Sequence, residues 1–147
     1  MRVVLDASVM VKWLLRQTRT EGDSERAAEI FEAVAGSAID LVEPPHWLTE
    51  VAGGLARLSP ASAEADVLDL VSLELEIVDS VAVYQTAVRL AVDLDQHLFD
   101  TLYHAVALDQ SDAVLVTADD RYYRAAHHVG RIARLSEWPS GDPPAPR

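Results

Sequence analysis

Four carboxylates in this sequence are candidates for chemistry: Asp6, Glu50, Asp100 and Asp119. Asp6 closes a short β-branched run, Val3-Val4-Leu5, and Asp119 lies three residues beyond the run Ala113-Val114-Leu115-Val116. Beyond the carboxyl ends of parallel strands is where open sheets collect their ligands. Each aspartate is also a favoured helix N-cap, and taken singly capping explains either one equally well. Glu50 shares a helical face with Trp47, Val51, Gly54 and Leu58. A buried charge there costs several kcal/mol unless paired; the alternative is a glutamate at the edge of the stripe with its head in water. Gly53 and Gly54 inside the same helix each cost about 1 kcal/mol relative to alanine, which suggests a close approach to the backbone. Asp100 precedes Leu102, Tyr103 and Val106 near a helix start, where the helix dipole alone already favours an acid.

One hard divalent cation accounts for all four together. Mg²⁺ takes oxygen ligands, keeps several waters and binds through one or two carboxylates plus substrate phosphate. Bound to a site of this kind, it activates water and offsets charge on a phosphoryl group. Carboxylates that do not touch the ion can hold waters or act as general base.

The elements that must position these acids alternate between strand and helix. Val3–Leu5 and Leu41-Val42 read as strands, the second closed by Pro44-Pro45. Helical spacing of apolar residues follows Asp6, through Val9, Trp13 and Leu14, and returns over 25–34 until Gly36 stops it. Further helices are expected over 47–58, from Pro60 to about Leu75, over 81–94, over 98–109 and from about 119 to 127. Pro60 is tolerated in a first helical turn. Ile77-Val78 and Arg131-Ile132-Ala133 read as short strands, the latter at an edge, and Gln17 to Ser24 as a loop. Such alternation predicts a parallel sheet covered on both faces, with no internal repeat.

At 147 residues the chain fits one domain, expected over 1–136, with a Pro-rich C-terminal tail over 137–147; four of the seven prolines lie from Pro139 onward. There is no cysteine, which excludes disulfides, thiolate zinc sites and cysteine nucleophiles and suits a reducing cytoplasm. Neither a secretory signal nor a run of about 20 apolar residues is present, so the expectation is a soluble cytoplasmic protein with no membrane partner. A net charge of −12 opposes nonspecific binding to phosphate backbones, unless bound cations reverse the sign locally, and suits a basic protein partner.

Val3-Val4-Leu5-Asp6-Ala7-Ser8-Val9, Pro45 through Glu50, Phe99-Asp100-Thr101-Leu102-Tyr103 and Leu115-Val116-Thr117-Ala118-Asp119 occur in one order across residues 2–135. Together these blocks resemble the PIN-domain nucleases, specifically the VapC-type toxins of toxin–antitoxin pairs. That resemblance implies a three-layer α/β/α sandwich with a mainly parallel central sheet. It also implies Mg²⁺- or Mn²⁺-dependent endoribonuclease activity, a homodimer, and neutralisation by a cognate antitoxin. By position, Asp6 and Asp100 are then the direct ligands of one or two ions, and Glu50 and Asp119 complete the pocket. Ser8 and Thr117 are the hydroxyls that orient Asp6 and the loop of the fourth acid. Asp120 stands beside Asp119 as an alternative fourth acid. One departure is Gly53, where many members carry an asparagine that lines the site. It keeps open a second reading, a weak or inactive PIN-like module that serves a protein partner.

Other chemistry is less well supported. His97 and His104 lie two helical turns apart, a spacing compatible with metal-free ribonuclease chemistry, but both read equally as surface or half-buried residues. His46, His127 and His128 make no zinc spacing with them. No glycine-rich phosphate loop exists, and a phosphoacceptor receiver would need a late lysine, whereas Lys12 is the only lysine. Arg121, Arg124, Arg131 and Arg134 place positive charge near Asp119, either to steer RNA or as a solvated face. Trp13, Trp47 and Tyr122-Tyr123 read as core or interface rather than as base-stacking platforms.

Overall fold

The computed structural model describes residues 1–16 and 22–138. Most of the expected loop after Gln17, and the tail from Pro139 to Arg147, lie outside the described residues.

Five strands form one parallel sheet in the order β3-β2-β1-β4-β5: β1 (Arg2–Leu5), β2 (Asp40–Glu43), β3 (Glu76–Ile77), β4 (Ala113–Thr117) and β5 (Ile132–Arg134). β1 and β4 are buried along almost their whole length, the pattern of central strands covered on both faces. Among the described residues seven helices cover the sheet: α1 (Ala7–Leu15), α2 (Ser24–Ala35), α3 (Trp47–Leu58), α4 (Ala63–Val71), α5 (Val81–Leu94), α6 (Leu98–Asp109) and α7 (Asp120–Ala126). The result is the three-layer α/β/α architecture.

Right-handed crossovers decide which helices lie together. The chain leaves β1 toward β2 and β3, then returns past β1 to β4 and β5, so the direction of progression reverses between β1 and β4. Connections made before and after that reversal fall on opposite faces. Accordingly α1 packs on both α2 and α3, and α3 on α4, whereas α5 packs on α6 and α6 crosses β1, β2 and β4. A reversal of this kind opens a crevice beyond the carboxyl ends of the two strands that flank it. Those ends carry Asp6 and, just past β4, Asp119.

The expected helices over 47–58, 81–94 and 98–109 appear with those limits. α4 does not reach Pro60: the chain turns through residues 60–62 and the helix begins at Ala63, held by Ser62 Oγ donating to Asp66 at 3.0 Å. The chain also stays in the folded body beyond residue 136, because Trp138 is only 5% exposed and belongs to the core.

The two glycines of α3 differ. A Cβ on Gly54 would lie 3.0 Å from Val11 Cγ2, so the close approach suggested by the sequence exists there and lets α3 lie against α1. Around Gly53 there is open space, and the suggestion fails at that position.

Candidate active site

Asp6 leaves β1 in extended conformation and caps α1, its Oδ1 accepting the Ser8 N–H at 3.0 Å. Capping is only part of its role. Ser8 Oγ also donates to Oδ1, and Thr117 Oγ1, from the end of β4, donates to Oδ2. The direction of these bonds is fixed by the neighbouring amides. Ser8 Oγ accepts the Ala118 N–H at 3.2 Å and Thr117 Oγ1 accepts the Asp119 N–H at 3.0 Å. Each hydroxyl proton is therefore turned toward Asp6, and the bond from Ala118 to Ser8 ties the loop after β4 to the start of α1. Burial nevertheless pushes the Asp6 carboxyl up from 3.8 to about 6, outweighing the hydroxyl donors, and the charge of Asp119 adds to the rise.

Glu50 sits in the first turn of α3, its side chain 23% exposed. Its carboxyl is pushed up to about 7, first by burial and then by the charges of Asp100 and Asp6. Among the described residues no cation is seen to offset that rise. His46 Nε2 lies 4.0 Å from Glu50 Oε2 but 2.9 Å from the Phe99 carbonyl oxygen, to which it must donate. Burial also lowers the His46 pKa, which favours the neutral ring. Tyr103 lies close enough to steady the Glu50 charge, yet its buried hydroxyl has no partner at hydrogen-bonding distance among the described residues.

Asp100 stands in the first turn of α6, behind the N-cap His97. Burial raises its pKa and the charge of Asp119 adds to this, while His97 and Arg121 act the other way. Asp119 caps α7, its Oδ1 accepting the Tyr122 N–H at 3.0 Å. Helix capping and membership of the acidic group thus coexist at Asp6 and Asp119. The four predicted acids form a closed ring of repulsion: Asp6 with Asp119, Asp119 with Asp100, Asp100 with Glu50, and Glu50 with Asp6.

Asp120 differs from them. Its carboxylate pairs with Arg124 at 2.8 Å and Arg134 at 2.9 Å, so it is already compensated. Of the four arginines near this end, Arg131 donates to the carbonyls of Gln110 and Ser111 at 2.7 Å, and Arg134 stacks on Tyr123. Arg121 is the one whose charge bears on Asp100.

The histidines take structural places. His104 is fully buried, with Nε2 2.8 Å from the Gly130 carbonyl and Nδ1 3.1 Å from the Tyr122 hydroxyl. The carbonyl requires a proton on Nε2, so Tyr122 donates to Nδ1, and the pair links α6 to α7. Trp47 and Tyr122 are buried, and Trp13 stacks on Phe31 at 3.8 Å.

Sequence reasoning missed Glu43. It ends β2 and is fully buried, with Oε1 accepting the Leu5 N–H at 2.8 Å and Oε2 without a partner among the described residues. Burial drives its pKa well above the usual carboxylate range, and Asp6 adds to that. The available signal was its position: Leu41-Val42-Glu43 brings a third acid to a strand end, beside Asp6.

The donor set suits a hard cation: all-oxygen, anionic and mutually repelling. Among the described residues, no three carboxylate or imidazole side chains are drawn close enough to cage an ion unaided. Ligation by one or two carboxylates with water and phosphate needs no such cage.

A doubly covered parallel sheet with acids gathered at its reversal point defines the class: an α/β/α domain with an acidic pocket at its carboxyl edge. The PIN domain family model matches residues 3–128, and the chain belongs to that family. Its fold is similar to VapBC2 from Rickettsia felis bound to a DNA fragment from its promoter, with TM-score 0.64 and 18% identity over 91% of this chain and 98% of that one. It is equally similar to VapBC-1 from nontypeable Haemophilus influenzae, with TM-score 0.64 and 15% identity over 92% of this chain and 99% of that one. No curated protein sequence matches the chain.

Proposed function

We propose that this PIN domain is a Mg²⁺- or Mn²⁺-dependent endoribonuclease of the VapC type, the toxin of a toxin–antitoxin pair acting in the cytoplasm. The observation that carries this reading is the gathering of Asp6, Glu50, Asp100 and Asp119, each bearing on the next by its charge, at the sheet's reversal point. Family membership supports a nuclease, and the likeness of fold to chains of two VapBC structures supports the toxin role.

In this reading Asp6 and Asp100 hold one or two ions, and Glu50 and Asp119 complete the pocket. A bound dication supplies a more acidic water and offsets charge on the phosphoryl group. Ser8 and Thr117 keep the Asp6 oxygens turned toward the pocket. Glu50, whose pKa is raised by burial and the neighbouring acids in the metal-free pocket, would be returned toward its ionised form by a bound dication and could then hold or accept a proton from water. Asp120 ranks behind Asp119 as fourth acid because two arginines already satisfy it.

An antitoxin with a basic tail suits the net charge of −12. A homodimer suits the exposed apolar stripe Val81, Tyr84, Val88 and Val92 on α5. Among the described residues no helix is long and apolar enough to cross a membrane. The open space around Gly53 favours a second reading, a weak or inactive module in which the site lacks a polar side chain that positions substrate.

Incubation with structured RNA tests the proposal. Cleavage is expected with Mg²⁺ or Mn²⁺, and is expected to vanish with EDTA and in Asp6→Ala. Metal-dependent cleavage that survives Asp6→Ala refutes it. Metal uptake without cleavage of any RNA favours the module.

A further inference from the structure

We propose that Glu43 is a positioning residue for Asp6, holding the end of β1 in place through the amide of Leu5. The inference rests on the metal-centre reading of Asp6 and extends it to a residue outside the ring of four. β1 and β2 keep backbone register at Arg2↔Asp40 and Val3↔Leu41. Beyond that the strands no longer pair through their backbones, and the Glu43 side chain takes the place of a backbone carbonyl, accepting the Leu5 N–H at 2.8 Å. On the other side of β1, the Asp6 N–H reaches the Val116 carbonyl at 3.4 Å. The last residues of β1 are thus clamped between a side chain from β2 and the backbone of β4, and Asp6 is the next residue outward.

A carboxyl is a costly way to supply one acceptor. Glu43 is fully buried and its Oε2 has no partner among the described residues, an arrangement that natural cores usually avoid. Burial favours the neutral acid. What the position uses is then reach and an oxygen, not charge. The side chain spans from β2 to β1 where β2 bends away to pair with β3, the Val78 N–H bonding the Glu43 carbonyl at 2.9 Å. Groups that orient a metal ligand typically carry 10–100-fold of metal affinity when removed.

Three variants of the full chain separate this role from others: Glu43→Gln, Glu43→Asp and Glu43→Leu. Mn²⁺ affinity is measured by calorimetry, and metal-free amide exchange is followed at Leu5, Ser8, Ala118 and Asp119. Glutamine keeps both the reach and the oxygen, so Mn²⁺ affinity within about threefold of the parent and native exchange are expected. Aspartate keeps the acid but shortens the reach, and leucine has no acceptor; both are expected to lose about tenfold or more in affinity and to exchange faster at those amides. A glutamine variant as weak as leucine, or an aspartate variant better than glutamine, overturns the proposal. So does a folded leucine variant with native exchange. If the parent itself takes up no Mn²⁺, the metal-centre reading fails, and the exchange measurements alone decide the clamp.

Discussion

Asp6 and Glu50 carry carboxyl groups whose ordinary values, 3.8 and 4.5, are raised to about 6 and about 7 in the fold. A raised carboxylate binds its proton more tightly folded than unfolded, so without metal it adds stability as pH falls through the folded value. That gain is complete below the unfolded value, and it is absent at high pH, where both states are ionised. The metal-free protein is therefore expected to melt higher at about pH 5.5 than at about pH 8, as differential scanning calorimetry would record. Glu50→Gln should flatten this dependence and stabilise the metal-free protein at pH 7.5 by about 1–2 kcal/mol, after discounting for partial exposure. Destabilisation instead would show that the Glu50 charge is compensated. Thr117→Val removes one donor from Asp6 and the acceptor of the Asp119 N–H; Mn²⁺ affinity is expected to fall about 10–100-fold. Asp6 and Asp119 were legible in the sequence because each follows a β-branched run, and Glu50 because it lies on an apolar helical face. Glu43 was not, although it too ends an apolar run, because nothing local shows that tertiary packing buries it. Nor does local pattern tell that Asp120, next to Asp119, is neutralised by Arg124 and by Arg134 from β5.

The helices were legible where apolar periodicity is strong and a breaker closes it: α3 before Ser59-Pro60, and α5 and α6 on either side of Asp95-Gln96. α4 was overextended because a proline suits a first helical turn, whereas here residues 60–62 form a turn and the helix starts later. The two glycines of α3 illustrate what sequence leaves undecided. Their cost in a helix is identical, but only Gly54 meets a neighbour, Val11 of α1. Gly53→Ala should therefore stabilise the protein by up to about 1 kcal/mol, the full helix-propensity gain. Gly54→Leu should destabilise it by about 1–3 kcal/mol through overpacking between α1 and α3. Urea unfolding of both variants checks the pair, and equal effects would mean that α1 and α3 do not approach as described.

Across the whole molecule, strand order is what gathers the acids. Glu50 and Asp100 are separated by the whole of α4, β3 and α5, yet the α3 and α6 N-termini come to the same carboxyl edge from opposite faces of the sheet. No run of sequence encodes that meeting; it follows from right-handed crossovers on both sides of the β1–β4 reversal. The accumulated repulsion makes the domain a natural host for a dication. Saturating metal is accordingly expected to raise its melting temperature by mass action on the native state, with Asp100→Asn abolishing the rise. The most direct measurement is a calorimetric titration of the full chain with Mn²⁺ at pH 7.5, alongside Asp6→Ala and Asp100→Asn. Uptake of one or two ions by the parent, weakened about tenfold or more in each variant, is the predicted result. No uptake by the parent, or uptake that both variants retain undiminished, would contradict it.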